Sequence, residues 1–166
     1  MMSTRPRIKI EPTVTDIVVE IAAVAAVVFS VYVAARFYPE LPQRVPTHSN
    51  FVGKVDGWGP KSSVMGMPIL ALVSYLALSI VSRFPHVGNY PVEVTAENAE
   101  RIYRVAVSMS RWLKMEMLWL LAYITWMTIQ VSLGNAKDMG AASAFAILAV
   151  IIGTLIVMIV KLYRAK

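Results

Sequence analysis

The sequence predicts an all-α integral membrane protein with four transmembrane helices, a long third helix with a cytoplasmic amphipathic extension, and a structured outer loop between helices 1 and 2. Of the 166 residues, 57% are hydrophobic and 16% are charged, and the mean hydropathy is +0.61. A soluble domain carries about a quarter charged residues. Four runs reach the roughly 20 apolar residues that a membrane span requires, and they cover 17–35, 63–82, 115–133 and 140–160.

Composition also excludes several classes of site. The chain has no cysteine, so it has no disulfides, thiolate metal sites or cysteine nucleophiles. The first apolar run is longer than a signal-peptide core, and acidic residues such as Glu11 and Asp16 precede it, which favours a retained span. The net charge of +6 is expected to lie at cytoplasmic lipid headgroups, so no nucleic-acid partner is expected.

The distribution of Lys and Arg predicts the orientation in the plasma membrane. If the four runs cross in turn, eleven basic residues fall on the side of the termini and five on the side of the first loop. The positive-inside rule then places both termini in the cytoplasm. The chain is expected to form one domain, 1–166, with a basic tail at 1–12, an outer loop at 36–62 and a cytoplasmic linker at 83–95.

Helix 1 is expected to begin at a capping threonine, Thr13 or Thr15, with Asp16 in its first turn. Asp16 and Glu20 form an i,i+4 acidic pair at the cytoplasmic entrance of this helix. The pair could bind a cation or a proton. Pairing with Arg or Lys from the tails or from helix 3 is the favoured interpretation.

Helix 3 is expected to run continuously over 96–133 and to begin before the membrane. An apolar stripe along its first turns consists of Ile102, Val105, Met109 and Trp112, which is typical of an amphipathic juxtamembrane helix. Gly134-Asn135 should end this helix, and Gly140 should open helix 4.

The outer loop contains three prolines and three glycines within 41–61. Asp56-Gly57 and Gly59-Pro60 are predicted turns. A loop this long is usually functional or disordered, and its aromatic and apolar content favours a loop folded against the helices. The candidate residues for a ligand or partner site are His48, Asn50, Gly53, Asp56, Gly57, Trp58 and Lys61.

Three interpretations of this loop are open. A structural clamp onto the helices is favoured over a ligand or partner site. A metal site built from His48 and Asp56, with Asn50 or Glu40, is weaker still, since zinc takes three or four good nitrogen or sulfur ligands. No serine or lysine in the loop has a recognisable base. We therefore expect no enzymatic activity, no cofactor and no metal.

Helix 3 carries a second candidate set within the membrane. Six residues recur along it at spacings of four and three and so share one helix face: Trp112, Glu116, Trp119, Tyr123, Trp126 and Gln130. One interpretation is a polar-aromatic wall for a lipid-like ligand, because intramembrane polar groups usually face a cavity or the bundle interior. Ordinary packing is the favoured alternative.

The outer loop also suggests a family. Its pattern, Leu-Pro-x-x-Val-Pro-Thr-His-x-Asn-x-x-Gly-x-x-Asp-Gly-Trp-Gly-x-Lys over 41–61, resembles the N-terminal unit of SdpI-type membrane proteins, a domain of unknown function, as found in short stand-alone members. The resemblance implies a multi-spanning protein linked to immunity against a secreted toxic peptide and to signalling through a membrane-sequestered repressor. It implies no catalytic residue.

We therefore expect a non-enzymatic membrane protein of the SdpI-like immunity or envelope-signalling type. Its outer loop would recognise a peptide, lipid or envelope partner. The alternative is a structural accessory subunit of a larger membrane complex, and a small transporter using Glu20, Glu116 or His48 is less favoured. Membrane lipids and membrane protein partners are expected, and self-association stays open.

Overall fold

The computed structural model describes residues 5–165 and is mostly helical. Its elements are α1 (Val14–Phe37), β1 (Arg44–Ser49), β2 (Val55–Pro60), α2 (Gly66–Val81), α3 (Ala99–Ser132) and α4 (Ala141–Arg164), with short 3₁₀ turns at Tyr38–Glu40, Lys61–Met65 and Pro85–Val87. The helices occur in the predicted order.

The start of α1 is fixed by a capping box. The side chain of Thr13 accepts a hydrogen bond from the N–H of Asp16 at 3.2 Å, and the Asp16 carboxylate accepts one from the N–H of Thr13 at 2.9 Å. Two of the backbone donors that a helix start leaves without partners are thereby satisfied. This confirms Thr13, of the two predicted threonines, as the cap.

The centre of the bundle is α3, which contacts α1, α2, α4 and β1. Arg111 lies beside Asp16 near the start of α1, and Thr125 lies beside Ser30 further along. In the second contact both residues lie later in their helices than in the first, so α1 and α3 run parallel.

Lys114 contacts Ser79 near the end of α2, whereas Ile129 packs against Val64 before its start, so α2 is antiparallel to α3. The contacts of Tyr123 with Gly140 and of Glu116 with Thr154 show the same for α4.

The first turns of α3 extend beyond the start of α1. Ile102 and Tyr103 are fully buried there against Leu162 of α4 and against the segment that precedes α1, while Arg101 and Arg104 on the other face are exposed. The extension is therefore an amphipathic helix whose apolar stripe is covered by this protein's own chain.

Two glycines bound the connection between α3 and α4. Gly134 follows the end of α3 with φ +78°, and Gly140 precedes α4 with φ +69°. Glycine adopts these left-handed conformations at little cost because it lacks a Cβ atom. The predicted stop and start of the two helices are confirmed.

Three helical segments are long and apolar enough to cross a membrane: Val14–Glu40, Lys61–Val81 and Phe145–Arg164. The helix α3, which contains the third predicted run, lacks that composition within the described residues. It carries Lys114 and Glu116, both buried. Because α3 is surrounded by the other helices, its polar side chains have protein partners, and high hydropathy is not required along it.

The all-α prediction is wrong between α1 and α2. That segment folds as a two-stranded antiparallel hairpin, with Arg44 opposite Pro60 and Val45 opposite Gly59. The chain reverses over 50–54, where Gly53 has φ +82°.

The predicted turns at Asp56-Gly57 and Gly59-Pro60 are also wrong, because both dipeptides lie inside β2. The glycines of both dipeptides allow the two strands to approach closely. A Cβ atom at Gly57 would lie 2.8 Å from Cβ of His48, and one at Gly59 would lie 2.6 Å from Cγ2 of Thr47. Glycine at these positions therefore permits cross-strand contact.

Gly57→Ala is expected to lower the free energy of unfolding by about 1–3 kcal/mol, the usual cost of overpacking, because the new methyl group would overlap His48. Gly66→Ala is the matched control, since a Cβ atom there meets nothing within 4 Å. It should be neutral or slightly stabilising in a helix. Equilibrium unfolding in mixed micelles, followed by tryptophan fluorescence, measures both variants. Equal effects of the two substitutions would contradict the assigned role of Gly57.

Candidate functional site

The turn of the hairpin is organised by Asn50. Its side-chain oxygen accepts hydrogen bonds from the N–H groups of Val52 at 3.1 Å and Lys54 at 3.0 Å, and its own N–H donates to the carbonyl of Lys54 at 2.9 Å. This is an Asx-type turn, in which a side chain replaces a backbone acceptor. Asn50 and Gly53 of the candidate set thus shape the turn.

The base of the hairpin is fixed to one end of the helix bundle. Val45 and Leu41 are buried in a cluster with Val33, Val64 and Ile129. The carbonyl of Gly53 also accepts a hydrogen bond from the N–H of Met139 at 2.9 Å. The ammonium group of Lys61 lies 4.7 Å from the ring centre of Tyr38, a cation–π contact. The base of the hairpin is therefore held on α1, α3 and the 3₁₀ turn before α2, and its turn is held on the connection before α4.

His48 and Asp56 form a side-chain hydrogen bond across the two strands. Nδ1 of His48 lies 2.5 Å from Oδ1 of Asp56, and the side chains are 72% and 45% exposed. Exposed pairs of this kind contribute about 0–1 kcal/mol to stability. The hairpin fold thus depends little on these two side chains, and both are accessible to a partner.

A cavity of about 380 Å³ lies beneath the hairpin. Its lining includes His48 and Ser63 from the hairpin side and Thr125 and Thr128 from α3. Within residues 5–165, no group of three or more His, Asp or Glu side chains is placed to hold a metal ion. Hydroxyl groups and one imidazole therefore provide the polar lining of this cavity.

The hairpin exposes large apolar side chains at its turn and on β2. Phe51 is 94% exposed, Val52 is 71% exposed and Trp58 is 49% exposed. Lys54 and Arg44 on the same hairpin are exposed as well. A rigid element thus presents an apolar surface with basic neighbours.

The residues of the predicted wall on α3 face two different helices. Trp119 and Trp126 lie 6.1 and 6.2 Å, between ring centres, from Phe29 of α1. Glu116 and Tyr123 face α4 and the loop before it. Gln130 accepts a side-chain hydrogen bond from Asn135 at 3.1 Å.

Glu116 has one paired and one unpaired oxygen. Thr154 donates to its Oε1 at 2.6 Å, and its Oε2 is buried without a hydrogen-bond partner in the described part of the chain. The hydroxyl of Tyr123 donates to the carbonyl of Met139 at 3.1 Å. A ligand contact along this wall stays a prediction.

A charged cluster at the opposite end of the bundle joins three helices. Lys114, which is 2% exposed, donates to both carboxylate oxygens of Glu20 at 2.8 and 2.9 Å and to the hydroxyl of Ser79 at 2.9 Å. Tyr75 donates to Glu20 at 2.9 Å. All three protons of the ammonium group therefore have acceptors.

A second ion pair lies one turn away, where Nη1 of Arg111 is 2.9 Å from Oδ2 of Asp16. The predicted pairing of the acidic residues of helix 1 with basic residues of helix 3 is thereby confirmed. Both ion pairs line a cavity of about 610 Å³ between α1, α2, α3 and the segment before α1.

The sequence-based candidate set did not include Arg111, Lys114 or Tyr75. The sequence does carry a signal for Arg111 and Lys114. They form a basic pair three residues apart on α3, which matches the acidic pair on α1. Matching them requires knowing that the two helices run parallel. No comparable signal marks Tyr75.

Lys114→Met is expected to lower the free energy of unfolding by about 3–5 kcal/mol, because it leaves Glu20 without its cation. Glu20→Gln should have a comparable effect through Lys114. The double variant Glu20→Gln/Lys114→Met should lose less than the sum of the single losses, since neither charge is then left unpaired. Lys137→Met, at an exposed position, is the control and should stay within about 0.5 kcal/mol. Additive losses in micelle unfolding would show that the pair is not coupled.

Comparison with known proteins gives one match. A family model described as a domain of unknown function (DUF1648) matches residues 25–72, which cover most of α1, the hairpin and the start of α2. DUF1648 is a membrane-associated family. No curated protein and no solved structure matches the chain. The chain is therefore similar to this membrane-associated family over less than a third of its length, and the similar region includes the complete hairpin.

Proposed function

We propose that the chain is a non-enzymatic, four-span membrane protein of the SdpI-like immunity or envelope-signalling type, and that its outer hairpin recognises a peptide from the envelope or the surroundings. The likeness to the N-terminal unit of SdpI-type proteins rests on the loop pattern of 41–61, which lies within the region 25–72 that matches the membrane-associated family. The geometry of the hairpin supports the recognition role.

The four-span arrangement is supported by the contacts of α3. Three helical segments have the composition of spans, and α3 runs parallel to α1 and contacts all three other helices. Its buried Lys114 and Glu116 have hydrogen-bond partners on neighbouring helices. A polar helix can cross a bilayer when its polar groups face the protein interior. The excess of basic residues then places both termini in the cytoplasm and the hairpin outside.

The exposed apolar side chains of the hairpin are the observation that carries the recognition role. Phe51 and Val52 project from the turn and Trp58 projects from β2, on a hairpin whose base is anchored on the bundle. Aromatic side chains on a rigid element bind a partner with little loss of conformational entropy. The basic groups of Arg44 and Lys54 beside them favour a partner that is partly apolar and partly acidic.

The topology can be tested with single cysteines, because the chain contains none. Lys54→Cys, on the exposed hairpin, should react with a membrane-impermeant thiol reagent in intact cells. Asn89→Cys, exposed in the linker between α2 and α3, should react only after the cells are lysed. The reverse pattern would place the hairpin in the cytoplasm, and labelling of both sites in intact cells would contradict the four-span arrangement.

Recognition by the hairpin can be tested by gentle extraction from the native membrane and native mass spectrometry. Phe51→Ser and Trp58→Ser should each reduce the amount of bound partner about tenfold, as expected for interface residues worth roughly 1.4 kcal/mol or more. Phe84→Ser is the control, since Phe84 is exposed in the linker at the other end of the bundle. His48→Ala should also weaken binding while it changes the unfolding free energy by less than about 1 kcal/mol.

The same experiment separates the alternatives. An unchanged partner in both hairpin variants would contradict recognition by the hairpin. A partner recovered as protein subunits in fixed stoichiometry would assign the chain to the accessory-subunit class. The transporter alternative receives less support, since the carboxylate of Glu20 is already paired with Lys114.

A further inference from the structure

The cavity beside the charged cluster has an excess of positive charge. Its lining includes four cationic side chains, Lys9, Arg83, Arg111 and Lys114, and two carboxylates, Asp16 and Glu20, which leaves a net charge of +2. Arg83, at the end of α2, forms no ion pair within residues 5–165. Lys9 forms an ion pair with Glu11 at 2.8 Å, so its charge is balanced by a carboxylate next to the lining.

The two carboxylates of the lining are neutralised by their own partners. Asp16 accepts hydrogen bonds from Thr13 and faces Arg111. Glu20 is held by Lys114 and Tyr75. Among the cationic side chains of the lining, Arg83 is the one that has no ion-pair partner within residues 5–165, so its guanidinium is expected to attract an anion that enters the cavity.

The cavity also has an apolar side that faces the bilayer. Ile17 and Ile21 line it from α1, and both side chains are exposed on the outer surface of that helix. Val107 of α3 contributes to the opposite wall. Phe84 and Val87, which follow Arg83 in the chain, are exposed large apolar side chains. Such residues favour the interfacial zone of a membrane, and they would hold Arg83 at the depth of the lipid phosphates.

We propose that this cavity binds one anionic phospholipid, with its phosphate at Arg83 and Arg111 and an acyl chain along Ile17 and Ile21. Arginine suits the phosphate because its planar guanidinium offers several donors in a fixed arrangement. The site lies at the opposite end of the bundle from the hairpin. It rests on the proposed embedding of α1 and α2 in the membrane and is independent of any hairpin partner.

The test uses the purified full chain in mild detergent and native mass spectrometry with phosphatidylglycerol or phosphatidylcholine added. Phosphatidylglycerol should bind one molecule per chain and more tightly than phosphatidylcholine. Arg83→Gln should weaken phosphatidylglycerol binding about fivefold, the effect of removing one basic residue near anionic lipid, and weaken phosphatidylcholine binding less, because the choline cation offsets the phosphate charge. Arg83→Lys should restore part of the loss. Arg164→Gln, which removes an exposed basic residue outside the cavity, should have no effect.

Three results would overturn the proposal. Equal binding of the two lipids would remove the role of the anionic headgroup. An equal loss in Arg83→Gln and Arg164→Gln would show attraction to the general positive charge of the chain. Binding of inorganic phosphate alone, lost in Arg83→Gln and without a preference for phosphatidylglycerol, would assign the site to a soluble anion. None of these readouts depends on the hairpin, so failure here is distinct from failure of the proposed recognition role.

Discussion

The fold depends on giving the buried polar side chains of α3 partners on the neighbouring helices. Lys114 and Glu116 lie within two residues of each other on this helix, yet their side chains face different neighbours. An unpaired charge in an apolar medium costs several kcal/mol. Helices α1 and α2 must therefore approach Lys114 from one side, and α4 must approach Glu116 from another. The outer surfaces of these three helices are then left apolar, as a bilayer requires.

The hairpin, in contrast, depends on positions that lack a side chain. Gly57 and Gly59 let β2 lie against His48 and Thr47, while Asn50 closes the turn through its side-chain amide. The backbone of the hairpin is therefore strongly constrained. The exposed side chains of Phe51, Val52 and Trp58 are not part of these constraints, and they are the residues proposed to contact a partner.

Much of the helical architecture could be predicted from the sequence, because apolar length, the Thr13 cap and the Gly134 and Gly140 boundaries are local signals. The hairpin was missed because the same dipeptides that mark turns also permit close strand pairing. Only the position of His48 across from Gly57 distinguishes the two. Pairing of the acidic residues of α1 with basic residues of α3 was predicted, but Lys114 was not singled out as the partner of Glu20 and Ser79. These residues lie 94 and 35 positions away from it in the chain, and their alignment depends on helix packing.

The separation between Glu20 and Lys114 has a consequence for biosynthesis. The two residues are 94 positions apart, and a ribosome adds about 5–20 residues per second. The carboxylate of Glu20 therefore emerges roughly 5–20 s before the ammonium group that neutralises it. During that interval α1 has no basic partner from α3, and the carboxylate of Glu20 is paired with Lys114 only after α3 has been made.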